Sequence, residues 1–463
     1  MSRTHLQVHG ATLGIVLALL SLGASILLSS AGTLAFVNGT VHTVRGPAMT
    51  NAAVLATDDR ITSVGPVPAG GVTADQVIDL QGGHLYPGLI APHTVLGLIE
   101  IDGVRSTRDT TEVGVFRPDV YAWVAVHPDS DLIPVGRANG YTHAQVVPQG
   151  GVVSGYSAVI ALDGWTQESM AVRKAAALHV FWPDFGLDPT PKDRAGNPDR
   201  WKSMEDQVRE RKKQLREIDD FFEDAEAYAK ARNAALGETP PHPAPGVAAN
   251  RPPVGAEFRI VPAWEAMLPV IHGSLPVFVH ADDARQIRSA VEWALRRKLK
   301  IVLAGGRDAA KVAALLAEYR IPVAYEDVYT LPVRDTDSYD AQFSAPAILA
   351  RAGVRVSFAG GANRFGASNL RNVPYAAAHA VAFGLPPDEA LRGLTLYPAE
   401  ILGMADRLGS IEPGKECSVF WADGDILDIR TRVRRVWIEG REVSVDSRHT
   451  RLYERYRNRP SPR

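Results

Sequence analysis

The sequence predicts an α/β protein, a (β/α)8 TIM-type barrel joined to a small β-sandwich formed by the N- and C-terminal segments. Three observations predict it. Short β-branched runs crowd both ends of the chain, at 34–80 and 418–443, and each group is too thin to bury much alone. From 275 to 394, apolar strand-like runs alternate with amphipathic helical ones. The stretch 86–408 is long enough for a barrel of this kind with an insertion.

In chain order, residues 1–31 come first. Arg3 and His5 precede an uncharged apolar stretch, 11–28, and the small residues Ser29, Ser30, Ala31 and Gly32 follow. A basic start, an apolar middle and a small-residue exit make a signal peptide, so the chain is expected to be exported, periplasmic or extracellular. The run is also nearly long enough to span a bilayer, so an uncleaved membrane anchor is the alternative and a buried first helix the third reading. Strands are then expected at 34–44, broken at Asn38-Gly39, and at 53–56, 61–64 and 76–80, separated by turns such as Asp58-Asp59 and Gly70-Gly71. These form the first part of the sandwich, 33–85. Strands at 418–422, 433–439 and around Val443 form the second, 409–447.

Within the barrel region, 86–408, strands are expected at 275–280, 300–304, 321–325 and 354–358. Helices are expected at 283–298, 309–319, 344–352, 375–383 and 387–394. Such repeats imply a parallel sheet, with function at the C-terminal strand ends. An insertion, 199–254, interrupts the pattern. Residues 199–236 are dense in Glu, Asp, Arg and Lys at helical spacing and read as a long solvated helix. Residues 240–253, rich in proline and alanine, read as an extended linker. The bland role for this insertion is surface decoration; the sharper one is a lid or a dimer arm. The Arg-rich tail 448–463 reads as a short helix packed on the barrel, then a frayed end.

Composition excludes some functions. Fifty basic and 52 acidic residues leave no global field to favour nucleic acid. Cys417 is the single cysteine, so no intrachain disulfide can form.

Two segments carry a family resemblance. His84-Leu-Tyr-Pro-Gly-Leu-Ile-Ala-Pro-His93-Thr-Val95 resembles the first barrel strand of the amidohydrolase superfamily, where the pattern ends in His-x-His. Residues 390–403 and 406–415, ending in Glu-Pro413-Gly414-Lys415, are similar to the return from barrel to sandwich in imidazolonepropionase-like amidohydrolases. The stretch Gly150-Gly151-Val-Val-Ser154-Gly155-Tyr-Ser157, with Asp163-Gly164-Trp165-Thr166, resembles a segment of exported members that lack the strand-one histidine pair; its Gly and Ser suit a tight loop at the barrel mouth. The resemblance implies hydrolysis of a non-peptide carbon–nitrogen bond. It also implies a divalent metal, zinc in the first instance, that polarises a carbonyl and supplies hydroxide.

Carried over by position, the resemblance leaves few metal ligands. His93 and His280 stand at family positions, but Val95, Gly305 and Gly361 replace ligands, and strand four offers no candidate. The site is therefore expected to be degenerate. Two readings stay open: a hydrolase with an altered site, or an inactive paralogue that binds a ligand or a partner, in which a second copy or an active homologue could pair with it. Polar strand ends suggest the remaining chemistry. His280 beside Asp282 suits a general base, and Arg307 a clamp for carboxylate or phosphate. Asp308, Glu326, Asn363, Asn369 and Arg371 are ligand-binding candidates. The bland alternatives are helix caps for Asp282, Asp283 and Asp308, an ion-pair role for Arg371, and packed remnants for His280 and His93. A small-molecule substrate or ligand is the expected partner.

Overall fold

The computed structural model describes residues 32–236, 258–457 and 459. The expected leader (1–31) and the expected linker (240–253) lie outside the described residues. Among the described residues, no helix is long and apolar enough to cross a membrane.

The first strands, β1 (Thr33–Val41), β2 (Met49–Thr57), β3 (Arg60–Pro66), β4 (Gln76–Asp79) and β5 (His84–Pro87), belong to the terminal β-module. Eight barrel strands follow: β6 (Leu89–Thr94), β7 (Tyr141–Val146), β8 (Val153–Ala161), β9 (Ala171–Phe181), β10 (Val277–Ala281), β11 (Ile301–Gly305), β12 (Val323–Tyr325) and β13 (Val356–Phe358). The chain then returns through β14 (Val419–Ala422), β15 (Val433–Ile438) and β16 (Arg441–Val443).

Both chain ends meet in one sheet of order β16-β15-β14-β5-β1-β2-β3, with β4 alongside β1. It closes over Phe36, Val54, Ile61, Leu85, Val419 and Trp437, and the Phe36 and Trp437 rings meet edge to face. An antiparallel bridge from Arg60 to Glu416 brings β3 back to the C-terminal segment.

The barrel strands pair in sequence order from β6 to β13, and a parallel bridge from Thr94 to Gly361 joins the ends. In one respect the expectation of a parallel sheet is corrected: β8 runs antiparallel to both β7 and β9. The connections explain this. A parallel crossover needs a dozen or more residues, usually with a helix. The 147–152 connection is a tight turn with Gly150 and Gly151 at φ 81° and 68°, and 162–170 holds only the short helix Gln167–Met170. Ser154 and Ser157, expected in a loop, are buried in β8.

Alternation decides which side chains face in. Along β10, Val277 and Val279 pack outward against the helices, while Phe278 joins the barrel interior with Val159, Val302, Ala304 and Ala324. Leu402, Met404 and Leu408 pack into the same interior cluster. The carbonyls of Leu402 and Gly403 accept from Arg173 Nη1 at 2.9 and 2.8 Å.

The described part of the insertion packs on the barrel. Met204–Leu236 is one helix that buries Ile218, Phe222, Ala225 and Ala229. Phe222 meets Trp293 of the outer helix Ala284–Arg296 edge to face. Arg297 donates to Asp219 and Glu226 at 2.9 and 3.0 Å. The C-terminal helix, Arg448–Arg457, buries no side chain.

Candidate active site

A pocket of about 430 Å³ opens at the C-terminal strand ends, lined among others by His93, Phe181, Trp182, His280, Asp282, Arg307, Glu326 and Asn363. A larger cleft of about 640 Å³ lies between the long helix and the barrel. Its buried guanidinium, Arg297, is already paired with carboxylates.

Two imidazoles, His93 and His280, line the smaller pocket, and a third, the fully buried His179, stands beside them. His93, His179 and His280 offer ligand nitrogens that all lie within 4.8 Å of one another. They come from β6, β9 and β10. His179 was not among the expected site residues: it fills strand four, for which the sequence offered no candidate. Its signal was a lone histidine inside the apolar run 175–181, the same pattern as Val277-Phe-Val-His280.

His93 sits at φ 56°, and its backbone N–H donates to Gln145 Oε1 at 3.1 Å. Its Nδ1 lies against Glu326 Oε1. A carboxylate there is an acceptor that can orient the ring by taking an N–H from Nδ1. Nε2 is buried with no hydrogen-bond partner among the described residues. His179 Nδ1 and His280 Nε2 are 2.9 Å apart. Burial holds both rings well below the ordinary histidine range, with neighbouring imidazoles as a further cause, so both are neutral. Neutral nitrogens at this spacing suit a divalent metal: tetrahedral zinc sets its nitrogens about 3.3 Å apart.

Above them sit the charged groups. The helix after β10 opens on Asp283, which accepts from Arg285 N at 2.8 Å in a capping box with Gln286. Asp283 is thus the cap, and Asp282 is left facing the pocket. Its Oδ1 accepts from Arg307 N at 3.3 Å, and burial pushes the carboxyl above its ordinary range. After β11, Gly305 and Gly306 take φ 87° and 72°, a turn that favours glycine. A Cβ on Gly305 would lie 2.6 Å from Asp282 Oδ1, and one on Gly361 would lie 2.9 Å from Glu326 Oε2. Where these two strand ends carry no side chain, a carboxylate from the preceding strand occupies the space.

Of the expected residues, His93, His280, Asp282, Arg307, Glu326 and Asn363 are therefore gathered at one pocket. Asn363 Oδ1 also accepts from Phe365 N and Gly366 N, both at 3.0 Å, capping the next helix. Val95 packs in the apolar core. Three residues lie away from the pocket lining. Asp308 is buried against Arg334, 2.7 Å away, and accepts from Ala284 N. Asn369 Oδ1 accepts from Asn372 at 3.4 Å. Arg371 Nη1 lies 2.9 Å from His449 Nδ1. The chain turns away from the mouth once Asn363 has started its helix, which is why the last two are left outside.

Comparison with known proteins finds amidohydrolases. The sequence model of the Amidohydrolase family matches residues 258–443. Amidohydrolase tasK of Hapsidospora irregularis is 22% identical over 395 residues, 81% of this chain, and the chain spans 38% of that relative's length. Imidazolonepropionase of Erwinia tasmaniensis is 58% identical over 33 residues, 7% of this chain and 8% of its own length. The crystal structure of an amidohydrolase from Thermotoga maritima superimposes with a TM-score of 0.73 at 26% identity, covering 89% of this chain and 99% of that one.

Proposed function

Because this chain belongs to the amidohydrolase superfamily, we propose that it hydrolyses a non-peptide carbon–nitrogen bond of a small molecule at the barrel-mouth pocket. The observation that carries this reading is the convergence of His93, His179 and His280 beneath an open pocket. Three protein ligands with a position left for water or substrate is the pattern of catalytic zinc sites. When bound, the ion polarises a carbonyl and lowers the pKa of bound water to about 7.

The chain's own groups do the rest. Asp282 and Glu326 face the pocket and are placed to take a proton from the attacking water and return it to the leaving nitrogen. Arg307 can hold a substrate carboxylate or phosphate, and Phe181 and Trp182 supply an apolar wall. The reading includes export, supported by the order of basic, apolar and small residues at 3–32.

A second reading, an inactive paralogue that binds a ligand or partner, draws on the glycines at 305 and 361, where the family carries ligands. Turnover separates the two. Zinc-reconstituted protein is tested against a panel of cyclic and linear amides, beside His179→Ala. Hydrolysis that disappears in the variant supports the enzyme; ligand binding without turnover in the wild type supports the paralogue.

A further inference from the structure

The imidazoles differ in what stands behind them. Behind His93 is an acceptor, Glu326. Behind His179 is a donor. The Gln145 amide is held in one orientation by its partners. Its Oε1 accepts the His93 backbone N–H at 3.1 Å, and its Nε2 donates to Ser157 Oγ at 2.9 Å. Ser157 in turn gives its hydroxyl proton to Ala177 O at 3.2 Å. Turning the amide over would set an NH2 group against the His93 N–H. The same Nε2 lies 3.5 Å from His179 Nε2. A donor there favours a lone pair on His179 Nε2, which puts the ring proton on Nδ1, the nitrogen 2.9 Å from His280 Nε2.

We propose that Gln145 is a positioning residue that holds His179 in its Nδ1-protonated tautomer, so that a proton fills the gap between His179 and His280 and opposes entry of a divalent cation. This rests on reading the three histidines as a metal centre. For His179 Nδ1 and His280 Nε2 both to serve as ligands, that proton must move to His179 Nε2, where it faces the Gln145 N–H. A carboxylate at 145 reverses the bias. It accepts from the His93 backbone as the amide does, and it accepts from His179 Nε2–H, leaving Nδ1 its lone pair.

The test is a zinc titration of metal-stripped full-length protein, wild type beside Gln145→Glu, at one pH, with thermal melts of both. The variant is expected to bind zinc about tenfold more tightly or better. A variant that binds as the wild type does, or more weakly, overturns the role of Gln145 and leaves the metal centre standing. Absence of binding in both proteins overturns the metal centre itself. Should the variant fail to fold, ¹⁵N NMR of the metal-free wild type decides. The His179 proton is expected on Nδ1, moving to Nε2 with zinc; a proton on Nε2 in the metal-free protein overturns the inference.

Discussion

From β10 to β13 the barrel strands are short, five residues in β10 and three in β13, and β10, β11 and β12 each lead into a charged group at the pocket: Asp282, Arg307 and Glu326. From β6 to β9 the strands lengthen, to eleven residues in β9, and β7, β8 and β9 are joined by hairpins. Here the inward groups are neutral: Gln145, Ser157 and His179, all fully buried. The difference follows from solvation. Buried polar groups are tolerable where each finds a hydrogen-bond partner, and the Gln145–Ser157 network provides that, whereas charges stay near the open rim. One side of the pocket thus supplies much of a fixed imidazole floor, and the other a charged wall. Glu326 and His93, in contact across the pocket, tie the two together.

The largest effect is expected where the halves share a side chain. Phe278 is fully buried in the barrel and packs against the His179 ring at 5.1 Å. Phe278→Ala should cost about 3–5 kcal/mol in urea unfolding, and should weaken metal binding as well because His179 loses a wall. Next is Glu326→Ala. It removes the oxygen that His93 Nδ1 lies against, so metal affinity should fall about 10–100-fold by titration, with little change in the melting temperature.

Arg334→Ala confines the damage to the charged half. Burial works to raise the Asp308 carboxyl, but hydrogen bonds from Arg334 and Lys311 outweigh it and hold the group below its ordinary range. Asp283 is lowered likewise, burial again opposing, chiefly through Arg285. Lowered folded-state values mean stability that is present above the unfolded carboxylate range and drains as pH falls through the folded values. The variant should lose about 1–3 kcal/mol at neutral pH, and less below the carboxylate range, while its zinc affinity stays that of the wild type. The smallest effect is expected at Trp165, 93% exposed in the β8–β9 connection. Trp165→Ala should stay within about 0.5 kcal/mol of wild type.

The two halves also differed in how far the sequence disclosed them. β10 to β13 alternate with helices whose starts and apolar stripes are local signals, so the sequence alone places His280, Asp282, Arg307 and Glu326 at strand ends. β8 and β9 carry no such alternation. β8 is buried along its whole length and β9 from Ala176 to Val180, and the alanine-rich Ala171–Phe181 has weak strand propensity. With β9 unassigned, His179 had no strand to sit on. Asn369 and Arg371 were misplaced for a different reason: proximity in sequence to β13 does not keep a residue at the mouth once a helix has begun. Nor could spacing show that Asp282 and Glu326 occupy the space left by Gly305 and Gly361, because each pairing crosses between strands.

The central claim is that His93, His179 and His280 form one metal centre. Elemental analysis of purified full-length protein, with His179→Ala alongside, tests it most directly. About one divalent metal per wild-type chain, lost in the variant while its melting temperature is kept, is the predicted result. A folded wild type that takes up no zinc, nickel or manganese on reconstitution, or a variant that keeps the full complement, would contradict it.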